Sequence, residues 1–315
     1  MTALSSTFCK EKRESKNNFL KEITNYRSDL FKYCRKLTNN PWDAEDLVQE
    51  TLACSYGKLA DKHAGITNIK AYLFKMATNQ WIDWCRRSKV QFDSELVPET
   101  PYYMGNVYEV KDTLSSLVNF LPPKERVALV LSEAFESTNK EIAEILGTTE
   151  GAIKSALNRG RLKLKSISNH SKENILPFSL EQEKIVNMAV DAFNRRDLEA
   201  FGQLFISNAI GNAPGCFFET NLEEIKKGSL FHTLNNHDGT PLPSAYKAET
   251  LKINGDVLFV IFNKGIIDDI WKFSTDEGKI ERFDCYYCCP EVLNEVATLL
   301  EKKFNHHGHY FEQNF

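Results

Sequence analysis

Lys154, Asn158, Arg161 and Lys165 are spaced at i, i+4, i+7 and i+11, which puts them on one stripe of a helix. Basic side chains on such a stripe neutralise phosphates, and an amide side chain can meet a base edge. Ile153, Leu157 and Leu164 fall on the other side and predict a buried stripe. Upstream, Thr138 and Glu141 have the S/T-x-x-E spacing of a capping box. They predict a helix over Lys140–Leu146 with Ile142, Ala143 and Leu146 on one face. Gly147 supplies a left-handed stop, and Thr149 can cap a second helix over Glu150–Leu164. Pro122 and Pro123 suit the first turn of an earlier helix. Helix, tight turn and second helix with a basic exposed face is how major-groove readers are built. A helical hairpin with a merely solvated charged face has the same spacing, so spacing alone leaves both readings open.

Two further segments could meet a partner. In Asp43–Leu52, Asp43 can cap a helix, with Glu45 and Asp46 in its positive first turn. Leu47, Val48 and Leu52 face a core, leaving Glu45, Gln49 and Glu50 for solvent or a basic partner. In Ile69–Arg87, Ile69, Leu73, Met76 and Ala77 make a buried stripe. Lys75, Asn79, Asp83 and Arg86 make an opposite polar stripe, and Trp81 and Trp84 share a third. Asparagine among basic residues can read a base edge, and an aromatic face can stack on an unpaired base. Both tryptophans also suit a core.

These segments must be positioned by a chain of 315 residues, enough for two or three domains. The net charge of −4 does not oppose nucleic-acid binding, because charge is uneven. From Asn139 to Lys172 stand Lys140, Lys154, Arg159, Arg161, Lys163, Lys165 and Lys172 against Glu141, Glu144 and Glu150, with Glu173 just beyond. No apolar run is long enough to span a membrane, and Met1–Asn18 lacks the apolar core of a secretory signal. A cytoplasmic protein with free thiols at its eight cysteines is therefore expected.

The predicted organisation is a helical domain over 18–90, a linker over 91–110, a helical domain over 111–168, a linker over 169–179 and an α+β domain over 180–315. The last opens with two short helices in Val186–Phe205, joined at Arg195-Arg196-Asp197. Strand-like runs follow at Tyr246–Asn254, Val257–Asn263, Ile267–Ser274 and Lys279–Tyr287, then a helix over Pro290–Phe304. Helices against a curved antiparallel sheet form a cone with an apolar mouth. Asp284, Tyr286 and Tyr287 could serve an isomerase-like site, but fold does not give function. Cys285, Cys288 and Cys289 with His306, His307 and His309 invite a metal reading. On a strand, Cys285 and Cys288 point to opposite faces, which favours structural thiols, with a redox sensor as a further option. No catalytic residue, metal or cofactor is expected.

Several of these strings resemble a known family. Lys140-Glu-Ile-Ala-Glu-Ile-Leu-Gly147 and Thr149-Glu-Gly-Ala-Ile-Lys-Ser155, with the lead-in Leu121-Pro-Pro-Lys-Glu-Arg126, resemble region 4 of sigma-70 family RNA polymerase sigma factors of the extracytoplasmic function (ECF) group. Asp43–Leu52 is similar to region 2.2, and Ile69–Arg87 to regions 2.3 and 2.4. The resemblance implies an all-α pair of domains, a helix-turn-helix at the promoter −35 element and a region 2 helix at the −10 element. It also implies docking on the polymerase core through the β′ clamp helices and the β flap. The DNA-binding residues it implies are Lys75, Asn79, Asp83, Arg86, Arg87, Glu150, Lys154, Ser155, Asn158, Arg159 and Arg161. The polymerase-binding ones are Asp43, Glu45, Asp46, Gln49 and Glu50. The loop over Lys58–Asn68 would help hold a flipped-out base.

The chain departs from the family at Thr78 and Ala156, where arginine is frequent, and at Gly160, where alanine is usual. Fewer phosphate contacts and a softer distal recognition helix are the expected consequences. Phe193-Asn-Arg-Arg-Asp-Leu-Glu-Ala-Phe201, Pro290–Ala297 and Gly308–Phe311 resemble SnoaL-like extensions of some ECF factors, which implies a domain that tunes sigma activity by docking within the chain. The Asp-Gly-Gly-Gly-Lys motif of one such group is absent. A stand-alone helix-turn-helix regulator with a ligand-sensing domain, and an enzyme fused to a DNA-binding domain, are the alternatives. A clamp-binding helix at Asp43–Leu52 separates the first from a sigma factor.

Overall fold

Apolar residues at helical spacing build α1 (25–38), α2 (Pro41–Leu59) and α3 (Ile69–Phe92). In this computed structural model residues 23, 25–59, 66, 68–92, 121–167, 179–236, 238–253 and 255–309 are described. The chain divides into two units, Met1–Glu173 and Asn174–Phe315. The linker over 93–110 and the loop over 60–65 lie outside the described residues, and α3 continues to Phe92.

In the first unit, Leu30, Tyr33, Leu37, Leu47, Leu73 and Ala77 are buried without residual exposure. Tyr33 stacks on Phe74 at 4.4 Å between centroids. Phe135 meets both rings edge-on, at 5.5 and 5.2 Å. Such ring pairs stabilise by about 0.5–1.5 kcal/mol beyond their buried area. Phe135 follows α4 (Pro123–Ala134), so this cluster ties α4 to α1 and α3. Next come α5 (Asn139–Leu146) and α6 (Glu150–Ile167).

Gly160 is buried where α6 crosses α4. A Cβ there would lie 2.9 Å from Leu129 Cδ1. The glycine therefore serves close packing, which replaces the expectation of a merely softer helix. Gly160→Val should destabilise this unit by about 1–3 kcal/mol through overpacking. Denaturant unfolding of the full chain reads this, and an unchanged midpoint would remove the packing reason.

The second unit opens with α7 (Leu180–Asn194) and α8 (Leu198–Gly202). Arg196 between them has φ of 60°. Its guanidinium donates to the carbonyls of Phe193, Leu242, Pro243 and Tyr246, and Asp197 caps α8 through the Ala200 N–H at 2.9 Å. Then follow β1 (Phe205–Ala213), β2 (Phe217–Glu219), α9 (Leu222–Lys227), α10 (Ser229–Leu234), β3 (Tyr246–Ile253), β4 (Asp256–Asn263), β5 (Ile266–Asp276), β6 (Lys279–Cys285) and α11 (Pro290–Leu299). The sheet order is β2-β1-β6-β5-β4-β3.

The four later strands match the sequence reading within a few residues, but β1 and β2 are additional. The sheet is mixed rather than antiparallel: β1 and β6 run parallel, with Gly211 opposite Phe283 and Asn212 opposite Asp284. The final helix ends at Leu299 instead of Phe304, because Glu301 takes φ of 52° and the chain turns to pair with β5. There the Ile267 N–H donates to Lys303 O at 3.0 Å and the Asn305 N–H to Ile267 O at 2.8 Å. Phe201, Phe259, Phe273 and Phe283 surround Trp271, which stacks on Phe283 at 4.5 Å.

Candidate nucleic-acid interface

The turn between α5 and α6 is built locally. The Thr138 N–H donates to Glu141 Oε2 at 2.8 Å and the Glu141 N–H returns to Thr138 Oγ1 at 3.3 Å, a complete capping box. The helix starts at Asn139, one residue before the predicted start. Gly147 stops it with φ of 61° and ψ of 45°, its N–H on Ala143 O. Thr149 Oγ1 then accepts from the Ala152 N–H at 3.2 Å. Ile142, Ala143, Ile145, Ile153, Leu157 and Leu164 are buried, while Leu146 is only half-buried.

On α6, Glu150, Lys154, Ser155, Asn158, Arg159 and Arg161 are all exposed, as is Lys165. Two of them are braced by α4. Arg159 Nε donates to Glu125 Oε1 at 2.8 Å, and Arg161 Nη2 to Glu133 Oε1 at 2.5 Å. Lys163 reaches the other Glu125 oxygen at 3.1 Å. Burial pushes the Glu125 carboxyl up, but the hydrogen bonds from Arg159 and Lys163 outweigh it and hold it below its ordinary value. Ala156 is buried. An arginine there would enter the core side of the helix, so the expected loss of a DNA contact at this position does not follow.

On α3, Lys75, Asn79, Asp83, Arg86 and Arg87 are exposed along one side, and Asp83 pairs with Arg86 at 3.1 Å. Leu73, Met76, Ala77 and Trp81 are buried, and Ile69 and Trp84 are half-buried. Thr78 also faces inward. Its Oγ1 meets the Tyr33 hydroxyl at 2.6 Å and donates to Phe74 O at 2.7 Å. The family arginine at that point would displace this buried pair, which explains the departure.

Arg126, quoted in the lead-in string but given no role there, lies buried against α3. Its guanidinium sits 5.4 Å from the Trp81 ring and Nη2 donates to Lys36 O at 3.4 Å. Burial pulls it down to about 9, Cys85 opposes that, and Arg35 adds to it.

On α2 two expectations are corrected. The helix begins at Pro41, and its cap is Asn40, whose Oδ1 accepts from the N–H groups of Trp42 and Asp43 at 2.9 and 3.3 Å. Glu45 is not left for a partner. It is fully buried, ion-paired with Arg27, and accepts from Gln49 Nε2 at 2.6 Å. Asp43, Asp46, Gln49 and Glu50 are half-buried.

In the second unit, Asp284 is held by Arg282 and Asn212, each at 2.7 Å, and Tyr286 is buried. Tyr287 stacks on His307 at 3.8 Å. His307 Nε2 meets Asp268 O at 3.1 Å, and His309 meets Glu291 at 3.0 Å. Asp269, which carried no sequence signal, is buried on β5. Its carboxylate accepts from Trp271 Nε1 at 2.6 Å, Ile270 N–H at 2.7 Å and Cys285 Sγ at 3.2 Å.

Burial pushes the Asp269 carboxyl up to about 7 against those hydrogen bonds. The folded chain thus holds a proton that the unfolded chain releases at ordinary carboxylate pH. Stability is fullest at acid pH on this account, falls as pH rises towards about 7, and levels off above it. Asp269→Asn should remove that slope between pH 5 and 8 in denaturant titrations. An equal slope in both proteins would contradict the assignment.

Residues 23–90 match the family model for Sigma-70 region 2, and residues 111–164 that for Sigma-70, region 4. The ECF RNA polymerase sigma factor SigG of Mycobacterium tuberculosis is 24% identical over 234 residues, which cover 64% of this chain and 62% of SigG. This chain thus spans a little under two thirds of that relative's length. The RNA polymerase sigma-E factor of Streptomyces coelicolor is 32% identical over 152 residues, covering 46% of this chain and 82% of the relative. Among solved structures, the sigma factor RpoE of Bartonella quintana, in complex with the anti-sigma factor NepR, is 26% identical with a TM-score of 0.39. It covers 49% of this chain and 99% of that one. SigJ of Mycobacterium tuberculosis is 18% identical with a TM-score of 0.33, covering 86% of this chain and 97% of that one.

Proposed function

Because the chain belongs to the ECF group of sigma-70 family RNA polymerase sigma factors, we propose that it directs core polymerase to promoters through the exposed faces of α3 and α6. In this reading α6 meets the −35 element and α3 the −10 element, while Asp46, Gln49 and Glu50 of α2 lie on the polymerase clamp. The protein itself makes and breaks no bond; nucleotide addition belongs to the polymerase. It acts in the cytoplasm with promoter DNA and core polymerase as partners. Among the described residues no helix is long and apolar enough to cross a membrane.

One observation carries the reading. Every candidate DNA-contacting side chain of α6 and of α3 is exposed, while Met76, Ala77, Trp81, Ile153, Ala156 and Leu157 between them are buried. Footprinting tests it. Core polymerase with this protein should protect two short DNA segments separated by a spacer, and neither component alone should do so. Protection by this protein alone would favour the stand-alone regulator.

The α+β unit has the helix pair and sheet of a SnoaL-like domain, and its role in this proposal is to modulate the sigma regions by docking on them. It can regulate only by favouring one arrangement of those regions over another. Removing the residues after Ser171 should therefore change promoter output, with an increase expected. Unchanged output and unchanged affinity for core would assign the unit another task.

A further inference from the structure

Arg159 and Arg161 stand two positions apart on α6, so they project about 160° apart around its axis, on opposite edges of the helix. Each nevertheless ends on a carboxylate of α4. Arg159 Nε donates to Glu125 Oε1 at 2.8 Å, and Arg161 donates through Nε and Nη2 to Glu133 Oε1 at 3.2 and 2.5 Å. The crossing of the two helices makes this possible. Gly160, between the arginines, lies against Leu129, which is midway between the two acids. Lys163 joins Arg159 on its edge, with Nζ on Glu125 Oε2 at 3.1 Å. Ser155 and Asn158 are exposed on the arc between the two edges. Pairs as exposed as Arg161 with Glu133 contribute little to stability, so folding does not account for this arrangement.

We propose that Glu125 and Glu133 are positioning residues for promoter recognition: they hold Arg159 and Lys163 on one edge of α6, and Arg161 on the other, against the phosphates of the two strands that line the major groove. Lys163 thereby becomes a further DNA contact. The proposal rests on the promoter-reading role of α6. A helix with its side chains is about 10–12 Å across and the major groove about 12 Å wide, so a helix lying in the groove fills it. Its two edges then meet the two phosphate walls, and the arc between them meets base edges. Ser155 and Asn158 occupy that arc. Phosphate contacts fix register and base contacts read sequence, so cations held on both edges set where Asn158 falls. A long side chain already held by a carboxylate loses less freedom when it meets phosphate. Arg159 gives only Nε to Glu125, and Arg161 keeps Nη1, so each retains N–H groups for a phosphate oxygen. Glu125, buried and shared by two cations, leaves its edge of the helix with one positive charge in excess.

The test uses holoenzyme assembled from core polymerase and the full-length chain. A duplex that the wild-type holoenzyme selects from a library randomised at the −35 segment is compared with the same duplex carrying that segment scrambled. Glu133→Ala should lower the ratio of the two affinities by about threefold or more. In the Arg161→Ala background the same substitution should change the ratio no further, because Glu133 acts through that arginine. Glu125→Gln should lower the ratio in the same way through Arg159 and Lys163. Its carboxylate is buried, so a thermal melt accompanies that variant, and the exposed Glu133 decides the matter if it unfolds. A plain charge effect has the opposite sign, since removing an acid beside DNA tightens binding to both duplexes alike. Equal tightening, an unchanged ratio, or an effect of Glu133→Ala that persists undiminished in Arg161→Ala would overturn the proposal. Failure of the reading beneath it looks different: the library would yield no preferred −35 sequence for the wild-type holoenzyme, and both would fall together.

Discussion

Glu45→Ala is expected to destabilise the first unit by about 3–5 kcal/mol, the range for removing one partner of a buried ion pair. Arg27 would lose a carboxylate in a site where both side chains are almost wholly buried, and Gln49 would lose its acceptor. One residue on, the outcome should invert. Charge reversal at Asp46 and Glu50 should leave the thermal melt nearly unchanged, because both residues are only half-buried. It should instead weaken association with core polymerase by about 2 kcal/mol or more, about thirtyfold in Kd. Circular dichroism and a core-binding titration read the two halves separately. A melt altered by the double reversal, or a core affinity that ignores it, would remove α2 as the docking helix.

Asn79→Ala should change promoter preference at one −10 position by about 1–3 kcal/mol, from about fivefold to about 150-fold. The side chain is exposed on α3 beside Lys75 and Asp83, so its loss disturbs no core contact. Lys154→Ala on α6 should behave differently. If Lys154 meets phosphate, affinity falls for all sequences alike and the salt slope flattens by about one unit. Selection from a promoter library separates the two patterns. An Asn79→Ala protein with unaltered preference at every −10 position would end the base-reading role of that residue.

The parts of the molecule that were readable in the sequence are those encoded over a few residues. Thr138, Glu141 and Gly147 fix the ends of α5 through contacts no more than four positions apart. β4 and β5 are rich in β-branched and aromatic residues, as strands covered on both sides are. The parts that were missed depend on distant partners. β1 reads Phe-Ile-Ser-Asn-Ala-Ile-Gly-Asn-Ala, a string of small and polar residues that becomes a strand by lying parallel to β6. Glu45 looked like a first-turn surface acid because Arg27 is 18 positions away. Thr78 and Ala156 looked like missing arginines because a family pattern does not show which way this chain turns them.

Run-off transcription tests the central claim most directly. Core polymerase should give a discrete transcript from a cognate promoter only when this protein is added, and Lys154→Ala together with Asn79→Ala should abolish it while the protein remains folded. A protein that binds core and promoter DNA yet yields no transcript, or a transcript indifferent to both substitutions, would contradict the account.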